Sequence, residues 1–190
     1  MRILFISIFM LVAGGLSALD MTMREVFRQM PDSLLPYLSE NNRLDFIDFM
    51  DSKMNAEVSN ALGGKSRMVK LTDTYTAISL NEASTLEMCL LPVSEPVDSA
   101  SHIVCLVYTY GKESRESTVS FYSLRWRALQ SSDYITWPEA GMYEARLDDN
   151  VLRLTLVPAT LLDMPADEEQ KTIEKHLIFL KWEGRYINAS

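Results

Sequence analysis

Residues 84–110, STLEMCLLPVSEPVDSASHIVCLVYTY, join two strongly apolar segments and hold both cysteines of the chain. Leu86, Met88 and Leu90 alternate with Glu87, Cys89 and Leu91, and positions 102–108 are apolar almost throughout, the pattern of strands covered on both faces. Two antiparallel core strands are expected. Between them Pro92, Ser94, Pro96, Ser99 and Ser101 favour a long hairpin loop, since proline leaves a ladder and serine prefers turns. Symmetric pairing about that loop places Leu91 opposite Ile103, Cys89 opposite Cys105 and Glu87 opposite Val107, all on one face. This register allows a disulfide between Cys89 and Cys105.

Strand periodicity extends outward from this hairpin. Before it, Thr76, Ile78 and Leu80 alternate with Tyr75, Ala77 and Ser79. After it come Val119, Phe121 and Ser123, then Tyr143, Ala145 and Leu147, then Leu152, Leu154 and Leu156, each run alternating with more polar neighbours. Asp148-Asp149-Asn150 and Glu183-Gly184 read as hairpin turns, the second leading into a short terminal strand around Tyr186. Upstream the period is helical. Thr22 and Glu25 form a capping box, and Met23, Val26, Phe27 and Met30 share one helix face until Pro31 ends it. Asp32 to Leu38 reads as a tight helical turn. Asn42 is the expected cap of a second helix whose stripe is Phe46, Ile47, Met50 and Met54, flanked by Leu44 and Phe49 and ending near Asn55. The fold class is therefore α+β, with N-terminal helices packed on a large, mainly antiparallel β-sheet of about seven to ten strands built from hairpins.

The first eighteen residues have a different character. Arg2, an apolar run from Ile3 to Val12 and the small residues Ala13, Gly14, Gly15, Ser17 and Ala18 make a secretory signal peptide, too short in its apolar part to span a bilayer. The expected organisation is a signal at 1–18 and one α+β domain at 19–190. The mature chain is expected at the periplasm or cell surface, with no stable membrane insertion once the leader is removed. With 47% hydrophobic and 23% charged residues, one ordinary core is expected, burying about 70% of the unfolded chain's surface without help from metal or disulfide. Arg2 is the only charged residue of the leader, so its loss takes the formal charge from −8 to −9. An acidic chain repels polyphosphate, and nucleic acid is not an expected partner. In an oxidising envelope a Cys89–Cys105 bond would persist, contributing about 3 kcal/mol for a loop of this size.

Motifs with chemistry are few. His102 and His176 stand alone, without metal-ligand spacing, and no serine sits in a Gly-x-Ser-x-Gly elbow. Asp45, Asp48 and Asp51 are closely spaced acids that a solvated helix face explains. Asp148, Asp149 and Asn150 offer oxygens to a cation, but a turn explains them and the rest of a calcium loop is missing. Nothing calls for a cofactor or a metal. Two segments, Gln130 to Gly141 and Pro158 to Lys175, read as long surface loops, where function tends to collect. The sharpest hint is aromatic: Trp126, Tyr134, Trp137 and Tyr143 fall in or beside the first of these loops, where exposed rings could stack on a sugar or dock a partner. Cross-strand pairing and core coverage are the structural explanation for the same residues.

The segments LDFIDFMDSKM (44–54), ALGG (61–64), STLEMCLLP (84–92) and FYSLRW (121–126) resemble an uncharacterised family of exported Bacteroidales proteins described only as a domain of unknown function. The resemblance runs from about Met23 to the terminal hairpin. It implies export from an envelope-bearing bacterium and a single helix-plus-sheet domain, and brings no catalytic residue, ligand or partner with it. The functional expectation is a non-enzymatic binding or interaction module for an envelope protein or glycan. Carbohydrate recognition through the four aromatics is one alternative, and an envelope hydrolase whose site assembles only in the fold is another.

Overall fold

The computed structural model describes residues 21–112, 115–137, 142–148, 151–157 and 177–188. The leader, the 158–175 segment, Asp149, Asn150 and His176 lie outside them. Helix α1 (Met23–Arg28) opens with the expected Thr22–Glu25 capping box and buries Met23, Val26 and Phe27. A 3-10 turn follows at Asp32–Leu34. Helix α2 spans Glu40–Asp51 and is capped by Ser39, not Asn42; Asn42 is the third residue of that helix, and its side-chain Oδ1 accepts the Ser39 backbone N–H while its own N–H donates to Ser39 Oγ. The two side chains satisfy each other's orphan donors, so the helix starts three residues earlier than expected. It also ends sooner. Lys53 takes a left-handed φ of 55° and turns the chain away, leaving Met54 59% exposed and not on the buried stripe with Phe46 and Ile47.

Seven strands then form a sequential antiparallel meander: β1 (Glu57–Ser59), β2 (Lys65–Leu71), β3 (Tyr75–Asn81), β4 (Ser84–Val97), β5 (Ala100–Tyr110), β6 (Glu116–Ser123) and β7 (Ala128–Leu129). The register of the central pair is the expected one, with Leu91 opposite Ile103, Cys89 opposite Cys105 and Glu87 opposite Val107. Its connection is not. Pairing resumes at Val97–Ala100 after an irregularity beginning at Pro92, and the turn is just Asp98 and Ser99, at φ 51° and 68°. Two successive left-handed residues match the twist of a tight hairpin, and the interrupted ladder tolerates prolines that lack an N–H. What reads as a long loop is a bulged ribbon.

The remaining strands build a second sheet, β11-β10-β9-β8, from β8 (Met142–Asp148), β9 (Val151–Val157), β10 (Leu177–Trp182) and β11 (Tyr186–Asn188). Part of the expected 130–141 loop is ordered structure as well: Ser131–Tyr134 forms a helical turn, α3, and Ile135 bridges in parallel to Tyr186. The result is three layers, helices on one face of the seven-stranded sheet and the second sheet on the other. Alternation explains both covers. On β4 and β5, Leu86, Met88, Leu90, Val104 and Leu106 pack with Phe27, Phe46 and the helical layer. Cys89, Leu91, Ile103, Cys105 and Val107 pack with Ala145, Leu154, Leu180 and Trp182 of the second sheet. Each fully buried aliphatic side chain here contributes about 1.5–3 kcal/mol of transfer free energy.

Candidate functional site

A buried polar network joins the two sheets. Glu87, 9% exposed, accepts the Leu147 backbone N–H at 2.7 Å through one carboxylate oxygen and the Arg146 guanidinium at 3.2 Å through the other. Ser117 Oγ accepts the Ala145 N–H at 2.9 Å. Strand β8 is the edge of its sheet, and these side chains satisfy alternate N–H groups along it that no neighbouring strand pairs. Arg146 also grips Glu144 through Nε and Nη2 at 3.1 and 2.9 Å, and Arg115 lies 3.1 Å from the same carboxylate. Paired carboxylates of this kind are candidates for acid and base chemistry. Here Glu87 is held by an arginine and a backbone donor and Glu144 by two arginines, and the work they do is to dock one sheet on another.

The four aromatics singled out in the sequence do not share a surface. Trp126 is 9% exposed and belongs to the helix side, where its indole N–H donates to the Val26 carbonyl at 3.0 Å and its ring packs 5.6 Å from Tyr122. Tyr143 is buried and Tyr134 half-buried on the opposite side of the sheet, Tyr134 stacking on Trp182 with centroids 6.2 Å apart. Only Trp137 is exposed, at 39%, with one face lying on Tyr143 at 5.4 Å. Cys89 and Cys105 face one another across the strands as buried thiols. Burial, and then the nearby Cys89, push the Cys105 thiol well above its ordinary range. Asp45, Asp48 and Asp51 lie on the exposed face of α2, with Asp51 paired to Arg24 at 2.6 Å. His102 Nδ1 lies 3.0 Å from Ser101 Oγ on strand β5.

A different aromatic cluster lines an open groove of about 270 Å³ on the helix side of the sheet. Strand alternation places Leu106, Tyr108 and Tyr110 of β5 beside Thr118, Ser120 and Tyr122 of β6, with Tyr108 opposite Thr118 and Leu106 opposite Ser120. The far wall is Ser33, Leu34, Pro36 and Tyr37. Leu35 and Leu38, both essentially fully buried, pin this wall to the core, and the Tyr37 carbonyl accepts the Ala61 N–H at 3.0 Å. Tyr108 and Tyr110 stack with centroids 4.3 Å apart and an interplanar angle of 18°; Tyr108 is 8% exposed and Tyr110 46%. Burial, then Tyr110 and Tyr37, raise the Tyr108 phenol; burial, then Tyr37, raise that of Tyr110. Both stay neutral hydroxyls well past physiological pH.

The sequence signal for this groove is a face on which tyrosine replaces leucine. Leu86, Met88, Val104 and Leu106 are succeeded, along the same side of β5 and β6, by Tyr108, Tyr110 and Tyr122 with Ser120 and Thr118 between them. The face emerges only with the β5–β6 register, because Tyr108, Tyr110 and Tyr122 lie in regular strands and not in an irregular segment. Two further clefts open on the other side of the sheet. One is lined by Lys70, Thr72, Thr74, Tyr75, Leu147 and Asp148, with Lys70 Nζ 5.0 Å from the Tyr75 ring centroid. The other lies along Val69, Ala77, Ser79 and Thr85 beside Glu87 and Arg146. Among the described residues, no group of three or more His, Cys, Asp or Glu side chains is arranged to hold a metal ion.

Comparison with known proteins bears on fold and family. The chain is similar to a solved domain of an uncharacterized protein from Porphyromonas gingivalis W83, at a TM-score of 0.71 and 14% identity, over 90% of this chain and 98% of that one. At that identity the likeness shows a shared fold. No curated protein matches the chain. A family profile described as "Protein of unknown function (DUF3256)" matches residues 16–176, most of the sequence, and the chain belongs to that family.

Proposed function

We propose that the protein is an exported binding module and that the tyrosine-lined groove is its ligand face. The observation that carries this reading is the unequal width of the helical layer and the sheet beneath it. The helix-side residues of β3, β4 and the first part of β5 are buried, Ile78, Leu86, Met88 and Val104 among them, whereas on β6 and the end of β5 Tyr110 and Thr118 are exposed and Ser120 and Tyr122 half-buried. An uncovered stretch of core-side sheet that carries rings and hydroxyls in place of aliphatics suits a ligand that makes both apolar and hydrogen-bonded contacts. The leader at residues 1–18 supports export. The carboxylates that would be the first suspects in a hydrolase are engaged in docking β8, which favours binding over catalysis.

The reading is tested by immobilising the mature protein and a Tyr110→Ala/Tyr122→Ala variant and passing solubilised native envelope over both. The expected outcome is one reproducible ligand, protein or glycan, retained by the parent and lost by the variant, with the urea midpoint of the variant still showing a folded chain. Equal retention by both proteins would remove the groove from consideration, and turnover of a hydrolase substrate panel would replace binding with catalysis.

A further inference from the structure

The groove's chemistry narrows the ligand, and we infer that it takes a neutral oligosaccharide, the exposed ring of Tyr110 stacking on a sugar face and the hydroxyls of Thr118, Ser120 and Tyr122 meeting sugar hydroxyls. This inference rests on the groove being the ligand face. Charge is the first argument. None of the ten residues that line the groove carries a charge at neutral pH, although the chain as a whole has a formal charge of −8. A phosphate, sulfate or carboxylate ligand finds no cation there, and a basic peptide finds no anion, so charged ligands would be desolvated without compensation.

Hydroxyl density is the second argument. Seven of the ten lining residues, four tyrosines, two serines and one threonine, carry a hydroxyl, and each hydroxyl both donates and accepts. A ligand that matches them must itself offer donors and acceptors in alternation, which is the surface of a sugar ring. Ring geometry is the third. Tyr108 and Tyr110 lie nearly parallel, and the inner ring supports the outer, 46% exposed one in a fixed plane. A rigid, two-torsion aromatic plane presents contact area at low entropic cost to the flat, C–H-rich face of a pyranose. A volume of about 270 Å³ falls just under the ~300–1,000 Å³ of pockets that enclose drug-sized ligands. The groove therefore takes only a short part of an oligosaccharide.

The deciding experiment is calorimetric titration of the purified protein with neutral oligosaccharides (gluco-, manno- and N-acetylglucosamine oligomers), with an anionic polysaccharide and a proline-rich peptide as competing chemistries. A neutral oligosaccharide is expected to bind with Kd between ~10 μM and ~1 mM, as a shallow site allows. Tyr110→Ala should weaken it about tenfold or more, Tyr110→Phe should leave most of it, and Ser120→Ala should weaken it severalfold. Should Tyr110→Ala unfold, amide shift changes at Thr118, Ser120 and Tyr122 on adding the sugar to the parent protein give the same answer. Failure of every neutral oligosaccharide at millimolar concentration overturns the inference. Binding of the peptide or the anionic polymer, lost in Tyr110→Ala, also overturns it while leaving the groove as ligand face; binding that Tyr110→Ala does not change overturns both.

Discussion

The central strands β4 and β5 present two faces of similar hydrophobicity to two unlike partners, and the difference lies in how each face treats its polar groups. On the second-sheet side the carboxylate and hydroxyl that meet β8 are claimed: Glu87 by Leu147 N–H and Arg146, Ser117 by Ala145 N–H. The partner there is an edge strand with unpaired donors, so polar groups on the face below it are structural necessities. On the helix side the helices satisfy most of their own backbone, and the face of β4 and β5 beneath α1 and α2 is mainly apolar. The buried hydroxyls on this side of the sheet, Ser66 and Thr76, donate to the sheet's own carbonyls at Leu80 and Lys70, and exposed or half-buried polar side chains gather where the helical layer runs out, at Tyr110, Thr118, Ser120 and Tyr122. Polarity under a cover is thus architecture, and polarity beyond the cover is available to a ligand.

The largest test of this distinction is Glu87→Ala. It strands the Leu147 N–H and removes a partner of the partly buried Arg146, and the expected loss is about 3–5 kcal/mol in urea unfolding, with Glu87→Gln, which keeps an acceptor, losing less. A loss within ~0.5 kcal/mol would mean that the carboxylate is not what docks β8, and its place beside the cleft lined by Thr85 and Arg146 would then need a functional account. Next in size is the cysteine pair, which lies on the same face. If the chain is exported as proposed, it lies where thiols oxidise, and protein isolated from the envelope is then expected to resist thiol labelling after unfolding until reduced, and to lose about 3 kcal/mol on reduction. Because Cys105 is fully buried under the second sheet, a bond between the two thiols would have to close before that sheet docks. Immediate labelling of unreduced, unfolded envelope protein would rule the bond out.

The helix side is probed by Trp126→Phe. This keeps a ring against Tyr122 but leaves the Val26 carbonyl without its indole donor, at an expected cost of about 1–3 kcal/mol. Trp126 itself sits at φ 63°, an unfavourable conformation for a bulky side chain, which the anchoring contact to α1 holds in place. If the variant is as stable as the parent, the indole is not the clasp between α1 and the β6–β7 loop.

The same contrast explains how much could be read from the sequence. Alternation at 84–110 determines which residues face together, so the Cys89–Cys105 register and both faces of β4 and β5 are legible, as is the capping box at Thr22. The division into two stacked sheets is not, because the alternation of Tyr143, Ala145 and Leu147 is the same whether β8 extends the first sheet or lies across it. Glu87 held the clue: a carboxylate among Cys89, Leu91 and Val107 requires donors from a layer above, and an edge strand supplies them. Aromatics in and beside an irregular segment suggest an exposed site, but Trp126 and Tyr143 are drawn inward by the two cores. Tyr108, Tyr110 and Tyr122 sit in regular strands and become a surface only because the helical layer is narrow. That width depends on Pro31 and Pro36 and on where Leu35 and Leu38 land, which is tertiary information.

The smallest expected effect belongs where neither cover reaches. Asp98, in the tight β4–β5 turn, meets Arg127 of the β6–β7 loop through two hydrogen bonds of 2.9 and 3.1 Å. The Arg127 guanidinium, and after it the Ser123 hydroxyl, holds the Asp98 carboxyl below its ordinary value. A depressed carboxylate stabilises the fold fully above the unfolded-chain value near ~3.9, and the contribution fades as pH falls through the lower folded value. Asp98→Asn isolates that charge, because asparagine tolerates the left-handed turn position as well as aspartate does. The variant should therefore be slightly less stable than the parent at neutral pH, converge on it as pH falls through the parent's lowered folded value, and lie closer to it in molar salt. A difference that persists unchanged into acid would show that the turn, not the ion pair, was altered. A difference as large as that of Glu87→Ala would show that exposed polarity at the sheet end carries as much of the fold as polarity under the cover, and the distinction between the two would fail.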